Sequence, residues 1–342
     1  MNRIINWGLI GLGNASLNLA KEFNKINNSK LVAVASLTKE KRDYFSSNFN
    51  FDKKNIYSDY EKILKNKLLD IVYIGLPNSM HEELCLRALD NNKNVLIEKP
   101  ITTNLKSFNK IKKKFYEKKL LIQEGTANKF HPFYKQVLNY FKTLEQSKII
   151  KIKSSFGNDA LGGKKIFGFR FKRINNEKRL FNKDLGGGSI LDGGIYPVSL
   201  IVDIFNLYNI NFLNEIKDLT CQKKKSNNID LNSKLNFFID KSQVELETSL
   251  IDNLDDSLEV YTNNENIHIK NIYNISLNSS IIFSKNNHQK KIFNKDEKSS
   301  YFYEICETSN LLNKNSSVSK NFNDEFIKIE KNIDLLSKWF NS

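Results

Sequence analysis

The chain has 342 residues, 40% of them hydrophobic and 11% aromatic, long for one core and with apolar material enough for two. Its net charge is +15, but the lysines are mixed with Asn, Ile and Phe along the whole length, and no arginine-rich arm or aromatic-spaced basic strand accompanies them, which argues against a nucleic-acid partner. No apolar run approaches the roughly eighteen residues of a membrane span, the start at Met1-Asn2-Arg3 before Ile4-Ile5-Asn6-Trp7 predicts no export leader, and the unpaired spacing of Cys85, Cys221 and Cys306 predicts reduced thiols, a cytoplasmic setting and no zinc cluster.

Ile4 to Ile10 reads as a buried strand, and Gly11-Leu12-Gly13-Asn14-Ala15-Ser16 follows it before a helix over Leu17 to Ile26. In such a strand–turn–helix the first glycine makes the turn. The second lets the backbone approach a pyrophosphate, and the helix start offers free N–H groups to the anion. Ser16 is small enough for close helix–strand packing. Gly11, Gly13, Asn14 and Ala15 are therefore candidate cofactor residues.

Leu31 to Ser36 is a second strand, ending in Ala35-Ser36-Leu37-Thr38-Lys39 with Arg42 a turn later. A carboxylate at this tip would take the ribose hydroxyls of NAD. None is present, and Ser36, Thr38 and Lys39 are suited to a 2′-phosphate, which gives a slight preference for NADP over NAD. A polar loop with Thr38 capping the next helix, Lys39 to Asn48, is the plainer alternative. A further helix starts near Ser58, and Leu69 to Gly75 is a strand. It runs into Leu76-Pro77-Asn78-Ser79-Met80-His81, where Pro77 stiffens the strand exit and Asn78 or His81 faces either the cofactor or only the helix over Met80 to Asp90.

Asn94 to Ile97 is a short strand closed by Glu98-Lys99-Pro100. It places an ammonium at the carboxyl edge of the sheet, where ligands bind in open α/β folds. A helix over Leu105 to Lys118 and a strand over Leu120 to Glu124 complete a parallel, doubly wound sheet.

After residue 126 the pattern changes. Phe133 to Lys142 is helical, and Ile149 to Phe156 alternates like a half-exposed strand. Gly186-Gly187-Gly188-Ser189 leads into a helix over Ile190 to Phe205, on which Asp192 and Tyr196 are four apart and share a face. A carboxylate, a phenol and a lysine from the sheet edge make a proton-handling group, because removing an alcohol proton near neutral pH needs a base tuned toward that pH. The plainer role for Tyr196 is an interfacial aromatic. Strand-like runs at 216–221, 234–239, 244–250, 257–261, 267–272 and 280–283 follow. Asn- and Asp-rich turns separate them, since neither Gly nor Pro occurs beyond Pro197, and they predict an antiparallel sheet. Lys285 to Lys298 reads as a polar hairpin and Asn323 to Phe340 as a closing helix. The histidines His81, His131, His268 and His288 lack metal-ligand spacing, so no metal is expected.

Five ordered segments resemble the glucose-fructose oxidoreductase, inositol dehydrogenase and rhizopine-catabolism family: Gly8 to Gly13, Tyr73 to His81, Asn94 to Pro100, Lys129 to Pro132 and Gly186 to Pro197. The resemblance implies a Rossmann domain over 1–125 and, over 126–342, a substrate-binding α/β domain with an open, mostly antiparallel sheet that builds a homodimer or homotetramer. It implies an NAD(P)-dependent dehydrogenase or reductase acting on a sugar or cyclic polyol. In that reading Lys99 and Tyr196 are catalytic, assisted by Asp192. Leu37, Leu76, Pro77, Glu98 and Lys99 join the cofactor residues, and Asn128 and Lys129 join Lys99, Asp192 and Tyr196 at the substrate. Tyr196-Pro197 and Arg179-Leu180-Phe181 place the chain nearest the dihydrodiol and xylose dehydrogenase branch. It departs from that branch at Leu37 and Lys129, where arginine is frequent. The rival activities are a reductase of a nucleotide-linked sugar for surface polysaccharide and a non-catalytic, cofactor-sensing regulator.

Overall fold

A computed structural model describes residues 3–166, 169–210, 213–226, 228–286, 288–314 and 318–342. The chain forms two compact units, Met1–Phe130 with Lys298–Phe326, and His131–Glu297 with Ile327–Ser342. The expected boundary at 125/126 lies five residues before the end of the first segment, and residues 298–326, expected in the second domain, return to the first unit.

The first unit holds a parallel sheet of β1 (Ile5–Ile10), β2 (Ser29–Ala35), β3 (Ile56–Tyr57), β4 (Ile71–Ile74), β5 (Asn94–Glu98) and β6 (Ile122–Gly125). The strand order is β3-β2-β1-β4-β5-β6, and every pair is parallel. The central strands are fully buried apolar runs, such as Ile71 to Ile74 and Val95 to Ile97, as a sheet covered on both faces requires. Between them run α1 (Asn14–Ala20), α2 (Lys39–Asn48), α3 (Tyr60–Leu64), α4 (His81–Asp90) and α5 (Leu105–Lys118). Asn104 caps α5 by accepting from Ser107 N at 2.9 Å, and Lys119 ends it in the left-handed region at φ 55°. α1 is shorter than the expected helix: it stops at Ala20, and a separate 3₁₀ turn covers Phe23–Lys25. The strand order reverses between β1 and β4, which opens a crevice at the carboxyl ends of the strands.

In the second unit α6 (Pro132–Phe141) precedes β7 (Ile149–Gly157) and the hairpin β8 (Gly162–Ile166) and β9 (Phe169–Arg173). Then come α7 (Ile195–Leu207), β10 (Ile216–Ser226), β11 (Ile229–Ile239), β12 (Ser242–Ser249), β13 (Leu254–Thr262), β14 (Asn266–Lys270), β15 (Ser280–Lys285) and β16 (His288–Phe293). The sheet order is β10-β11-β12-β7-β13-β14-β15-β16, antiparallel except where β12 meets β7. Alternate residues Val244 and Leu246 of β12, Leu258 and Val260 of β13, and Leu235 and Phe237 of β11 point inward. They pack with Val198, Ile201 and Phe205 of α7. Each buried side chain of this size contributes about 1.5–3 kcal/mol. Asn209, Asn228, Asp240, Asn271 and Asn286 turn the chain with positive φ, the role foreseen for Asn and Asp in a segment without glycine. The segment 183–207 is, by length and composition, apolar enough to cross a membrane, contrary to the expectation from sequence. However, 78% of its window is buried within the structure, as in a core helix.

The chain then returns to the first unit through α8 (Ser300–Lys314), and α9 (Val318–Asn341) ends it. Two side chains of the sheet donate to Ser309 of α8: Trp7 Nε1 at 3.0 Å and Ser29 Oγ at 2.7 Å. Thr308 Oγ1 donates to Gln123 Oε1 at 2.7 Å. Phe326 stands edge-on to Phe108 and Phe115, with centroids 5.7 and 4.7 Å away.

Candidate functional site

At the end of β1 the chain must turn sharply into α1, and Gly11 does so at φ 83°. A Cβ there would meet Gly75 O at 2.6 Å and Leu76 Cδ2 at 2.7 Å, so only glycine fits both the angle and the approach of the β4 exit. Gly13 is the N-cap of α1, and a Cβ on it would meet nothing within 4 Å. Its surface is bare backbone facing open space, as a pyrophosphate cradle needs. Asn14 is exposed and Ala15 half-buried in the first turn. Ser16 is fully buried, donates to Gly11 O at 2.5 Å and sits against Gly75, the close helix–strand packing foreseen for it.

The β2 tip holds no carboxylate. Ser36 is buried, and its Oγ accepts from Thr38 N at 3.2 Å. Arg42 Nη1 donates to Ser36 O at 2.6 Å, which brings a guanidinium to the tip. Leu37 is 65% exposed, and Lys39 pairs with Asp43 at 2.5 Å on the surface. Thr38 is the N-cap of α2 in position, without a side-chain cap bond.

The β4 and β5 exits are fastened to each other. Leu76 and Pro77 are half-buried, and Asn78, 6% exposed, opens a 3₁₀ turn. His81 is fully buried; its Nδ1 lies 3.0 Å from Pro100 O and its Nε2 2.9 Å from Leu76 O. The imidazole thus ties the Pro77 turn to the Lys99–Pro100 turn and is not open to the edge, so its contribution is to hold those turns. Glu98 and Lys99 are half-buried at the end of β5. Tyr73 Oη donates to Glu98 Oε1 at 2.5 Å. On the neighbouring strand Glu124 accepts from Ile101 N at 2.9 Å and from Thr126 Oγ1 at 3.1 Å, and burial raises its proton affinity. Asn128 is buried and Lys129 half-buried in the 3₁₀ turn Ala127–Phe130 that follows. Tyr73 and Glu304 of α8 belong to this edge but carried no site signal in the strand pattern. Glu304 could be found from spacing, because Glu304, Ile305, Thr308, Ser309 and Leu312 share the buried stripe of α8.

In the second unit, Ile190–Gly194 forms a π-helical turn that continues into α7. The turn needs its glycines: a Cβ on Gly193 would overlap Thr248 Oγ1, and one on Gly194 would lie 3.0 Å from Trp339. Asp192 is half-buried and accepts from Arg179 Nη2 at 2.5 Å, so its charge is matched by a guanidinium. Tyr196 is half-buried with its ring against Phe156 and Tyr273, centroids 4.8 and 5.6 Å away. Gly188 sits at φ 115°, where a Cβ would strike Asp230. Asp230 in turn accepts from Ser189 Oγ and Ile190 N, each at 2.7 Å, and so caps the turn. Among the described residues no group of three or more His, Cys, Asp or Glu side chains could hold a metal ion.

Residues 5–126 match the Gfo/Idh/MocA oxidoreductase family, described by its NAD-binding Rossmann fold. These residues form the six-stranded parallel sheet and its helices, a Rossmann fold. The trans-1,2-dihydrobenzene-1,2-diol dehydrogenase of Xenopus tropicalis is 26% identical over 202 residues, 58% of this chain and 56% of that protein. The NADP-dependent D-xylose 1-dehydrogenase of Hypocrea jecorina is 28% identical over 175 residues, 50% of this chain and 44% of that protein. The chain thus matches about half the length of these relatives. In fold the likeness extends further: KijD10, a 3-ketoreductase of Actinomadura kijaniata solved with NADP and TDP-benzene, superposes with a TM-score of 0.82 at 16% identity, covering 98% of each chain. The Rossmann domain and the open sheet of the second unit therefore occur together in a known architecture.

Proposed function

We propose that the chain is an NAD(P)-dependent oxidoreductase that moves hydride between nicotinamide and a carbon bearing a hydroxyl or carbonyl group in a sugar or cyclic polyol. The observation that carries this is the bare-backbone cradle at Gly11 and Gly13 in a Rossmann domain whose β5 ends on Lys99. In this reading Gly11, Gly13, Asn14 and Ala15 hold the pyrophosphate, and the turns of Leu76, Pro77 and Asn78, fastened by His81, face the nicotinamide end with Glu98. A bound dinucleotide supplies or accepts the hydride. Lys99 orients the substrate oxygen and Tyr196 passes its proton. Asp192 acts through Arg179, and Asn128 and Lys129 bind the substrate's other polar groups. NADP is the proposed preference, supported by the β2 tip, which offers Ser36, Thr38, Lys39 and the Arg42 guanidinium.

A nucleotide-linked sugar is the second substrate reading. The whole-chain likeness in fold to a ketoreductase solved with a TDP ligand favours it. A non-catalytic regulator of the same fold would have no use for both Lys99 and Tyr196. The second unit's sheet is proposed to assemble the chain into a homodimer or homotetramer, which light scattering distinguishes from a monomer. The three cysteines are free, in keeping with a reducing, cytoplasmic location that cell fractionation checks.

The deciding experiment is a panel of sugars, cyclic polyols and nucleotide sugars, each offered with NADP and NAD in both reaction directions and followed by NAD(P)H absorbance. Turnover is expected with at least one member, and faster with the NADP pair. Tight cofactor binding without turnover on any of them would favour the regulator. A parent protein strongly selective for NADH would reverse the cofactor assignment.

A further inference from the structure

One buried acid in the first unit takes no part in the arrangement above. Glu304 of α8 is fully buried, and neither carboxyl oxygen has a hydrogen-bond partner among the described residues. It lies against the carboxyl edge of the sheet, where a Cβ on Gly125 of β6 would be 3.4 Å from its Oε1. The titratable groups facing it are Glu98 at the end of β5 and Tyr73 from β4, and Tyr301 of its own helix faces Tyr73. Glu124 of β6 and Lys129 of the following turn lie along the same edge, and Lys129 compensates Glu124.

A solitary carboxylate in such a place would be very costly, and a neutral acid much less so. Burial and the nearby Glu98 both hold the Glu304 proton in place well above the ordinary carboxyl range. Glu98 itself is stabilised as the acceptor of the Tyr73 hydroxyl. Burial, followed by Glu98 and the other nearby groups, keeps that hydroxyl protonated. Loss of the Glu304 proton therefore adds a negative charge beside Glu98.

We propose that Glu304 is a proton-carrying positioning residue whose charge state sets how strongly the first unit binds oxidised relative to reduced nicotinamide dinucleotide. The inference rests on the dinucleotide-binding reading. In a two-halved Rossmann sheet the Gly-rich turn serves one mononucleotide, and the strands beyond the switch point, here β4 to β6, serve the other. The oxidised nicotinamide ring is a cation and the reduced ring is neutral. A second negative charge on this half therefore favours the oxidised form. Its repulsion of the phosphates is common to both forms and cancels in the ratio. The only chemical step is loss of the Glu304 carboxyl proton to solvent. By linkage, Glu304 holds fewer protons in the complex with oxidised cofactor than in the complex with reduced cofactor over the pH range in which it titrates.

The test measures Kd for NADP⁺ and NADPH by calorimetry from neutral pH to the alkaline limit of the folded protein, in the parent and in Glu304→Gln, whose amide is neutral throughout. In the parent the ratio Kd(NADPH)/Kd(NADP⁺) should rise by roughly tenfold as Glu304 loses its proton. In Glu304→Gln it should stay flat. A merely structural role would weaken both cofactors alike and leave the ratio unchanged. The parent alone gives a second readout that needs no variant: in buffers of different ionisation enthalpy, NADP⁺ binding should release more protons, or take up fewer, than NADPH binding where Glu304 titrates. Equal proton release for the two forms, or a ratio that does not change with pH while both bind, overturns this inference and leaves the dinucleotide reading intact. Failure of both forms to bind at any pH overturns both.

Discussion

Gly11 and Gly13 lie two residues apart and are constrained by different things. The first is fixed by the fold, through a left-handed φ and the backbone of Gly75 pressed against it. The second is unconstrained by the protein, because space opens beyond its Cα. Gly11→Ala should therefore destabilise the first unit by about 2 kcal/mol or more in urea denaturation, combining αL strain with a backbone clash. Gly13→Val should fold with little loss yet weaken NADPH binding, read by fluorescence titration. A Gly13→Val protein that binds NADPH as tightly as the parent would show that this turn does not cradle the cofactor. The sequence alone brought out both glycines, Lys99, Tyr196 and the missing carboxylate at the β2 tip, because those features depend on local order in the chain. It could not tell that His81 would be spent on two backbone carbonyls, or that Asp192 would meet Arg179. Those partners are set by packing over longer distances.

Where apolar period and caps agree, the elements are those the sequence predicts. α2 spans Lys39–Asn48 and α5 Leu105–Lys118, both as read from the pattern. The strands of the second unit run longer than their apolar cores suggest, because edge positions carry Lys, Asn and Ser without breaking the ladder. α8 escaped notice because its buried stripe mixes Glu304, Thr308 and Ser309 with Ile305 and Leu312, a face with weak apolar contrast. The polar stretch expected as a hairpin over Lys285 to Lys298 contributes β16, an edge strand whose Lys290 and Lys291 discourage stray pairing; Asn287 within it lies outside the described residues. The outward face of the large sheet carries opposed charges, with Lys151 and Glu245 at 2.5 Å and Lys234 and Glu247 at 3.1 Å. An assembly built on that face should depend on charge. Light scattering at micromolar concentration should show a dimer or tetramer at low ionic strength and a partial shift toward monomer near ~1 M salt, where screening is nearly complete. A monomer at low ionic strength would rule the assembly out.

As a whole the molecule is a Rossmann domain completed by the later segment 298–326, and a second unit built on one large sheet. The alternation of strands and helices made the first architecture legible from sequence, and the run of short strands made the second so. The return of the chain to the first unit was not legible, since it depends on α8 hydroxyls finding Trp7, Ser29 and Gln123 across more than a hundred residues of sequence. The net charge of +15 follows from lysine spread along the chain. The central claim is that Lys99 of the Rossmann domain and Tyr196 of the second unit act on one substrate oxygen. The most direct test is steady-state turnover of Lys99→Met and Tyr196→Phe at saturating substrate, with NADPH affinity measured alongside. Each variant should lose about 10²–10⁴-fold in turnover, the usual contribution of a positioned acid or base, while NADPH affinity stays within about twofold of the parent. Near-parental turnover in either variant would contradict the account and leave that residue a packing or binding role.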